Sequence, residues 1–137
     1  MSASLALQKA IRARLVATVG VTALVPASSI LDRNTRPNPD PSIIMGEDQE
    51  VDDDRIARNV VRIYSTLHVW KKEPGLIGVK AIAGAIRAGL HVSIPAIDAP
   101  YHIGDCYVSG TRFVRDPDGE TAHGIVTIES LVSEVSA

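Results

Sequence analysis

The stretch from Asn59 to His91 constrains the fold more than any other part of the chain. Over Val60–Trp70, Val61, Ile63, Leu67 and Val69 fall on one side of an extended backbone; Arg62, Tyr64, Thr66, His68 and Trp70 fall on the other. A period of two marks a strand with one buried face, and the β-branched and aromatic residues suit a pleated surface. Lys71-Lys72-Glu73 ends the strand. Pro74 is expected to open a helix, because the first helical turn has no use for its missing N–H. From Gly75 to about His91, Val79, Ile82, Ala83, Ile86 and Leu90 recur at helical spacing, with Lys80 and Arg87 opposite. Burying each of the large aliphatic residues contributes roughly 1.5–3 kcal/mol as an upper bound. Gly84 and Gly89 each cost about 1 kcal/mol in helix propensity, so the helix forms once it packs on a sheet. Gly84 and its alanine neighbours read either as a close approach to another backbone or as a tolerated helix glycine.

The flanking segments give the remaining elements. Leu7, Ile11, Leu15 and Val19 recur every four residues, with Ala3 and Ala10 beside them, and predict a helix over Ser2–Val19. Ser2 or Ser4 caps its start, and Gly20 is expected to end it in the left-handed conformation. Ile30-Leu31 reads as a short strand or an apolar anchor. Asp32–Pro41, with Pro37, Pro39 and Pro41, reads as a surface loop. Ser42–Glu47 predicts a strand built on Ile43, Ile44 and Met45. Glu47, Asp48, Glu50, Asp52, Asp53 and Asp54 follow; their mutual repulsion predicts an exposed loop or hairpin tip over about 47–55. Asp105–Arg115 and Thr121–Val132 read as strands joined by Asp116-Pro-Asp-Gly-Glu120, in which Pro117 presets a turn dihedral and Gly119 accepts positive φ. The order α-β-β-α-β-β predicts an α+β two-layer sandwich. It has one mainly antiparallel sheet of four to five strands and two helices on one face, in a single domain over 1–137.

With three Tyr, one Trp and one Phe, the core must be aliphatic. Lys and Arg total 14 against 16 Asp and Glu, a net charge of −2, so no general attraction to nucleic acid or anionic membrane is implied. No apolar run reaches the length of about 20 that spans a bilayer. Lys9, Arg12 and Arg14 interrupt the N-terminal stretch, so a secretion signal is not expected. The single Cys106 reads as a buried, inert thiol of a reducing compartment. There is no phosphate loop, dinucleotide fingerprint or zinc-binding helix pair. His68, His91, His102 and His123 are scattered without ligand spacing. The acidic run lacks the alternating ligands and central glycine of a calcium loop. No nucleophile stands with a base and an orienter, so no cofactor, metal or catalytic residue is expected.

Several pieces in order carry a family resemblance: the amphipathic first helix ending near Val21-Thr-Ala-Leu24-Val25, Ile43-Ile-Met-Gly-Glu-Asp48 and Leu67-His-Val-Trp70. They continue with Val79-Lys-Ala-Ile-Ala-Gly-Ala-Ile-Arg87, Phe113-Val-Arg-Asp-Pro-Asp-Gly119 and Thr121-Ala-His-Gly124. Together they span nearly the whole chain, which resembles the tail-terminator, or tail-completion, proteins of long-tailed bacteriophages and gene transfer agents. The resemblance implies a structural, non-enzymatic protein of the particle's tail neck, made in the bacterial cytoplasm. Such a protein forms a ring, usually a hexamer, that caps the head-proximal end of the tail tube, stops its polymerisation and docks to the head-side connector. DNA passes through the lumen without specific binding, and no membrane is involved.

The residues singled out for such a role are Glu47, Asp48, Glu50, Asp52, Asp53 and Asp54, which would repel phosphate from a lumen, and Arg36 in the proline-bounded loop. A plain solvated loop explains the same acids. Trp70 either closes the sheet's core or anchors an interface. Two other readings remain open: a different head–tail stopper or neck protein, and a small domain binding a metal or ligand through the acidic loop. If the acids hold no cation, neither calcium nor magnesium at millimolar concentration will raise the melting temperature; a saturable upward shift would support the metal-binding reading.

Overall fold

A computed structural model describes residues 2–32, 39–53, 56 and 58–135. The Ser2 hydroxyl accepts the Leu5 N–H at 3.2 Å and starts helix α1, Ala3–Ala17. Ala6, Leu7, Ala10, Ile11 and Leu15 form its buried stripe. The helix stops at Thr18, whose extended backbone turns the chain into a short helix α2, Val19–Thr22. Gly20 therefore ends no helix in the left-handed conformation; among the described residues only Arg58 and Gly119 have positive φ. The break also rotates Val19 out of the stripe, leaving it 79% exposed. A 3-10 turn at Ala27–Ser29 leads into β1, Ile30–Leu31.

Four long strands follow. They are β2 (Ser42–Asp52), β3 (Val60–Lys72), β4 (Tyr101–Arg115) and β5 (Thr121–Glu134), with helix α3 (Ile77–His91) between β3 and β4. The sheet order is β1-β2-β3-β5-β4; β1 pairs parallel to β2, and every other pairing is antiparallel. In β3, Ile63, Ser65, Leu67 and Val69 are buried; across the ladder Ile63 meets Ser130, Ser65 meets Ile128, Leu67 meets Val126 and Val69 meets Gly124. α1 packs on β2 and β5, and α3 lies across β3, β5 and β4. Both helices thus cover the same face, and Leu7, Ile11, Leu15, Ile82, Ile86 and Leu90 share one aliphatic core with Ile63, Leu67, Val69, Val126 and Ile128. The fold is an α+β sandwich of two layers, and the other face of the sheet is uncovered by helix.

The acidic run is not the loop its charge suggests. β2 extends through Asp52, and Asp48, Glu50 and Asp52 pair with Ser65, Ile63 and Val61 of β3. Backbone pairing along an edge strand leaves the carboxylates in water, so ladder hydrogen bonds form without burying like charges. Most of the loop expected over Asp32–Pro41, together with Arg36 and Asp54, lies outside the described residues.

Helix α3 also starts later than Pro74. Leu76 is its N-cap residue without a side-chain bond, and the Glu73 carboxylate instead accepts the Gly78 N–H through both oxygens at 2.9 and 3.1 Å. A carboxylate there answers both the orphan donors and the positive end of the helix. At the other end Arg14 reaches over from α1 and donates to the carbonyls of Gly89 at 2.9 Å and Ser93 at 2.7 Å.

The close approach sits at Gly89 rather than Gly84. A Cβ on Gly89 would fall 2.8 Å from Thr18 Oγ1 and 2.9 Å from its Cγ2, whereas one on Gly84 would meet nothing within 4 Å. Gly84→Ala should therefore raise stability by about 0.5–1 kcal/mol in urea unfolding, the helix-propensity gain alone. Gly89→Ala should give no gain or a loss, because β-branched Thr18 is held by its hydroxyl on the Arg14 carbonyl at 2.6 Å. Equal gains from the two substitutions would contradict this packing.

Candidate assembly surface

The uncovered face of the sheet carries Glu47 and Trp70 of the residues singled out above, whereas Asp48, Glu50 and Asp52 stand opposite Ser65, Ile63 and Val61 on the side that the helices cover. Because β3 and β5 run in register from Val60↔Ser133 to Lys72↔Thr121, the outward residues of β3 stand beside those of β5: His68 beside Ile125, Trp70 beside His123, Tyr64 beside Glu129. Two networks result.

The first joins Glu47, His68, His123 and Trp70. His68 Nε2 lies 2.8 Å from Glu47 Oε1, and His68 Nδ1 lies 2.8 Å from His123 Nε2. An ionised carboxylate only accepts, so His68 donates from Nε2 to Glu47. With both rings neutral, His68 Nδ1 then accepts the N–H of His123 Nε2. The Trp70 ring lies flat on His123, with centroids 3.7 Å apart and planes within 9°. The bond to His68, aided by a backbone N–H, holds the Glu47 carboxyl below its ordinary range. Burial, reinforced by the neighbouring His68, holds the His123 imidazole below its ordinary value.

The second network ties three strands. Arg62 of β3 pairs with Glu129 of β5 at 3.0 Å and with Asp53 at 3.5 Å, and Tyr107 of β4 donates its hydroxyl to the same Glu129 oxygen. That bond, then burial, raises the Tyr107 phenol above its ordinary value.

The acids therefore have separate environments. Glu47 is on His68; Glu50 accepts the Ser4 N–H at 2.9 Å at the start of α1; Asp53 is on Arg62. Burial, and then the charge of Glu50, raises the Asp48 carboxyl. Asp52 closes the ladder opposite Val61. Among the described residues no cluster of three or more His, Cys, Asp or Glu could hold a metal ion. Trp70 is half-buried on the open face and outside the helix-side core, so it does not close that core. The histidine pair escaped the sequence because its members are 55 residues apart. The outward phase of each strand was legible, but the register that brings the two together was not. His91 also has a structural partner, accepting the Val108 N–H of edge strand β4 at 2.9 Å. Cys106 is buried, and burial raises its thiol.

A model of the family "Tail completion protein gp17" matches residues 9–133. The chain belongs to that family. The gp17 tail-completion fold is also that of two solved structures. A chain from the "Virion of native gene transfer agent (GTA) particle" is 16% identical, with a TM-score of 0.83 over 96% of this chain and 98% of that one. The protein in "Structure of bacteriophage SPP1 gp17 protein" is 19% identical, with a TM-score of 0.61 over 98% and 91%. No curated protein matches. Family membership makes this a tail-completion protein, with a structural role in a phage-type particle. Among the described residues no helix is long and apolar enough to cross a membrane.

The second network carries a direct test. Glu129→Gln removes the anionic acceptor, so Tyr107 should titrate at lower pH, closer to the ordinary value of about 10. Ultraviolet absorbance at alkaline pH, with Tyr107→Phe subtracted, reads the shift; an unmoved titration would rule the bond out as its cause.

Proposed function

We propose that this tail-completion protein assembles as a ring, a hexamer, on the head-proximal end of a tail tube, ends tube polymerisation there and presents the surface that joins the head-side connector. The family match over residues 9–133 carries this reading. The likeness to a chain of a gene transfer agent virion supports a place in such a particle, and the tail neck is where a protein with this role would sit. The role is one of assembly rather than catalysis, with synthesis in the bacterial cytoplasm before incorporation.

Features of the fold suit a ring. β4 and the acidic half of β2 are the outer strands, since β1 pairs only with Ile43 and Ile44. Edge strands and an uncovered sheet face are surfaces that neighbouring copies of one chain can share in a closed, head-to-tail assembly. In that ring the acidic stretch from Glu47 to Asp54 would face the lumen, where like charge keeps passing DNA from adhering. Trp70 and Arg36 would serve contacts between subunits or with the tube.

Native mass measurement of the purified protein, alone and then with its tail-tube protein, tests the reading. A ring of fixed mass, or a complex at which tube growth halts, is the expected result. Tubes that elongate unchanged in the presence of a protein that stays monomeric and unbound would overturn it.

A further inference from the structure

The Glu47–His68–His123 chain crosses β2, β3 and β5 at the one irregularity of the β2–β3 ladder. Pairing runs to Met45↔Leu67 and resumes at Asp48↔Ser65, so Gly46 and Glu47 stand opposite Thr66 alone. The extra residue changes the phase of the strand and brings Glu47 to the open face. Gly46 makes room for the imidazole, since a Cβ there would fall 2.5 Å from His68 Cδ2. The bulge and His68 are thus fitted to each other.

Counting protons shows what the chain tolerates. With both rings neutral, His123 donates to His68 and His68 donates to Glu47. One added proton makes His68 an imidazolium that donates from Nδ1 to His123 Nε2 and from Nε2 to Glu47; His123 moves its own proton to Nδ1 and every contact survives. A second proton places two N–H donors and two positive charges head to head where the nitrogens are 2.8 Å apart, and that contact cannot persist. We propose that Glu47, His68 and His123 form a proton-operated latch, which the first proton keeps shut and the second opens, loosening the Gly46–Glu47 bulge and the Trp70 stack.

The groups facing the latch are Glu47 from β2, Trp70 and His68 from β3, and Asp116 from the β4–β5 turn; β4 itself places uncharged Val114 beside His123. Glu47 and Asp116 favour protonation of His123, and burial with the charge of His68 opposes it more strongly. The sign follows. A His123 depressed below its ordinary 6.5 contributes stability that is intact above pH 6.5 and is lost as pH falls below it. Glu47 is itself depressed, so it stays ionised through that window.

Trp70 is the only tryptophan, and its emission reports the stack directly. In the full-length protein, emission should change between pH 7.5 and pH 5 with a midpoint on the acid side of 6.5, and amide exchange corrected for intrinsic rates should rise about tenfold over residues 46–49 but not over 125–128. His123→Gln retains an N–H for His68 and cannot titrate, so both changes should vanish. Their persistence in His123→Gln, or flat exchange over 46–49 in the parent protein, would overturn the latch. If His123→Gln fails to fold by circular dichroism, Glu47→Gln decides: removing the anion should move the emission midpoint to lower pH, and an unmoved midpoint counts against the proposal.

Discussion

The structure depends on the antiparallel register between β3 and β5. Thirteen consecutive residues of β3, Val60 to Lys72, are matched by Ser133 to Thr121. Because side chains alternate, one slip of a residue would carry Ile63, Leu67 and Val69 to the open face and Arg62, His68 and Trp70 into the core. Burial of the aliphatic set against α1 and α3 locks the register. The same register then lays His68, Trp70 and His123 side by side, and Arg62 and Tyr107 on Glu129. The polar networks are a consequence of the apolar packing on the reverse side of the sheet.

The acidic segment shows how a local rule yields to the ladder. Six carboxylates within eight positions resist compaction, and in isolation they would hold the chain open. Glu47, Asp48, Glu50 and Asp52, in the outer half of an edge strand, are exposed to water while that strand pairs with β3. Three of the six find separate donors: an imidazole, a helix N-terminus and a guanidinium. The bulge at Gly46–Glu47 separates the strand's buried start, where Ser42 to Met45 are covered on both sides, from this wet end. Like-charge repulsion is therefore divided rather than concentrated.

Family membership with only 16–19% identity to the two solved structures is compatible with this physics. A two-layer sandwich of this kind requires alternation in the strands, a stripe on each helix and a sharp turn between β4 and β5; it does not require particular side chains on the open face. The turn is the most local of these. The Asp116 carbonyl accepts the Gly119 N–H at 3.0 Å, Gly119 takes φ 74°, and Asp118 gathers the Glu120 and Thr121 amides and the Thr121 hydroxyl. Those bonds hold the Asp118 carboxyl low, the Thr121 hydroxyl first among them.

The sequence by itself determined whatever rests on neighbours within a few residues. The strand at Val60–Trp70, the buried stripes of α1 and α3, the Asp-Pro-Asp-Gly turn and the two-layer α+β class were all legible from periodicity and turn chemistry. The family was legible as well, from several motifs in order. Tertiary structure decided what depends on residues distant in the chain. It placed the break at Thr18 that turns Val19 outward, the close contact of Gly89 with Thr18, the Glu73 cap in place of Pro74, and the extension of β2 through the acids. It also joined His68 to His123 and set Trp70 outside the helix-side core. The physical reason is one of range: propensity and alternation fix which side of a strand a residue occupies, whereas register, set by packing of the whole core, fixes what stands next to it.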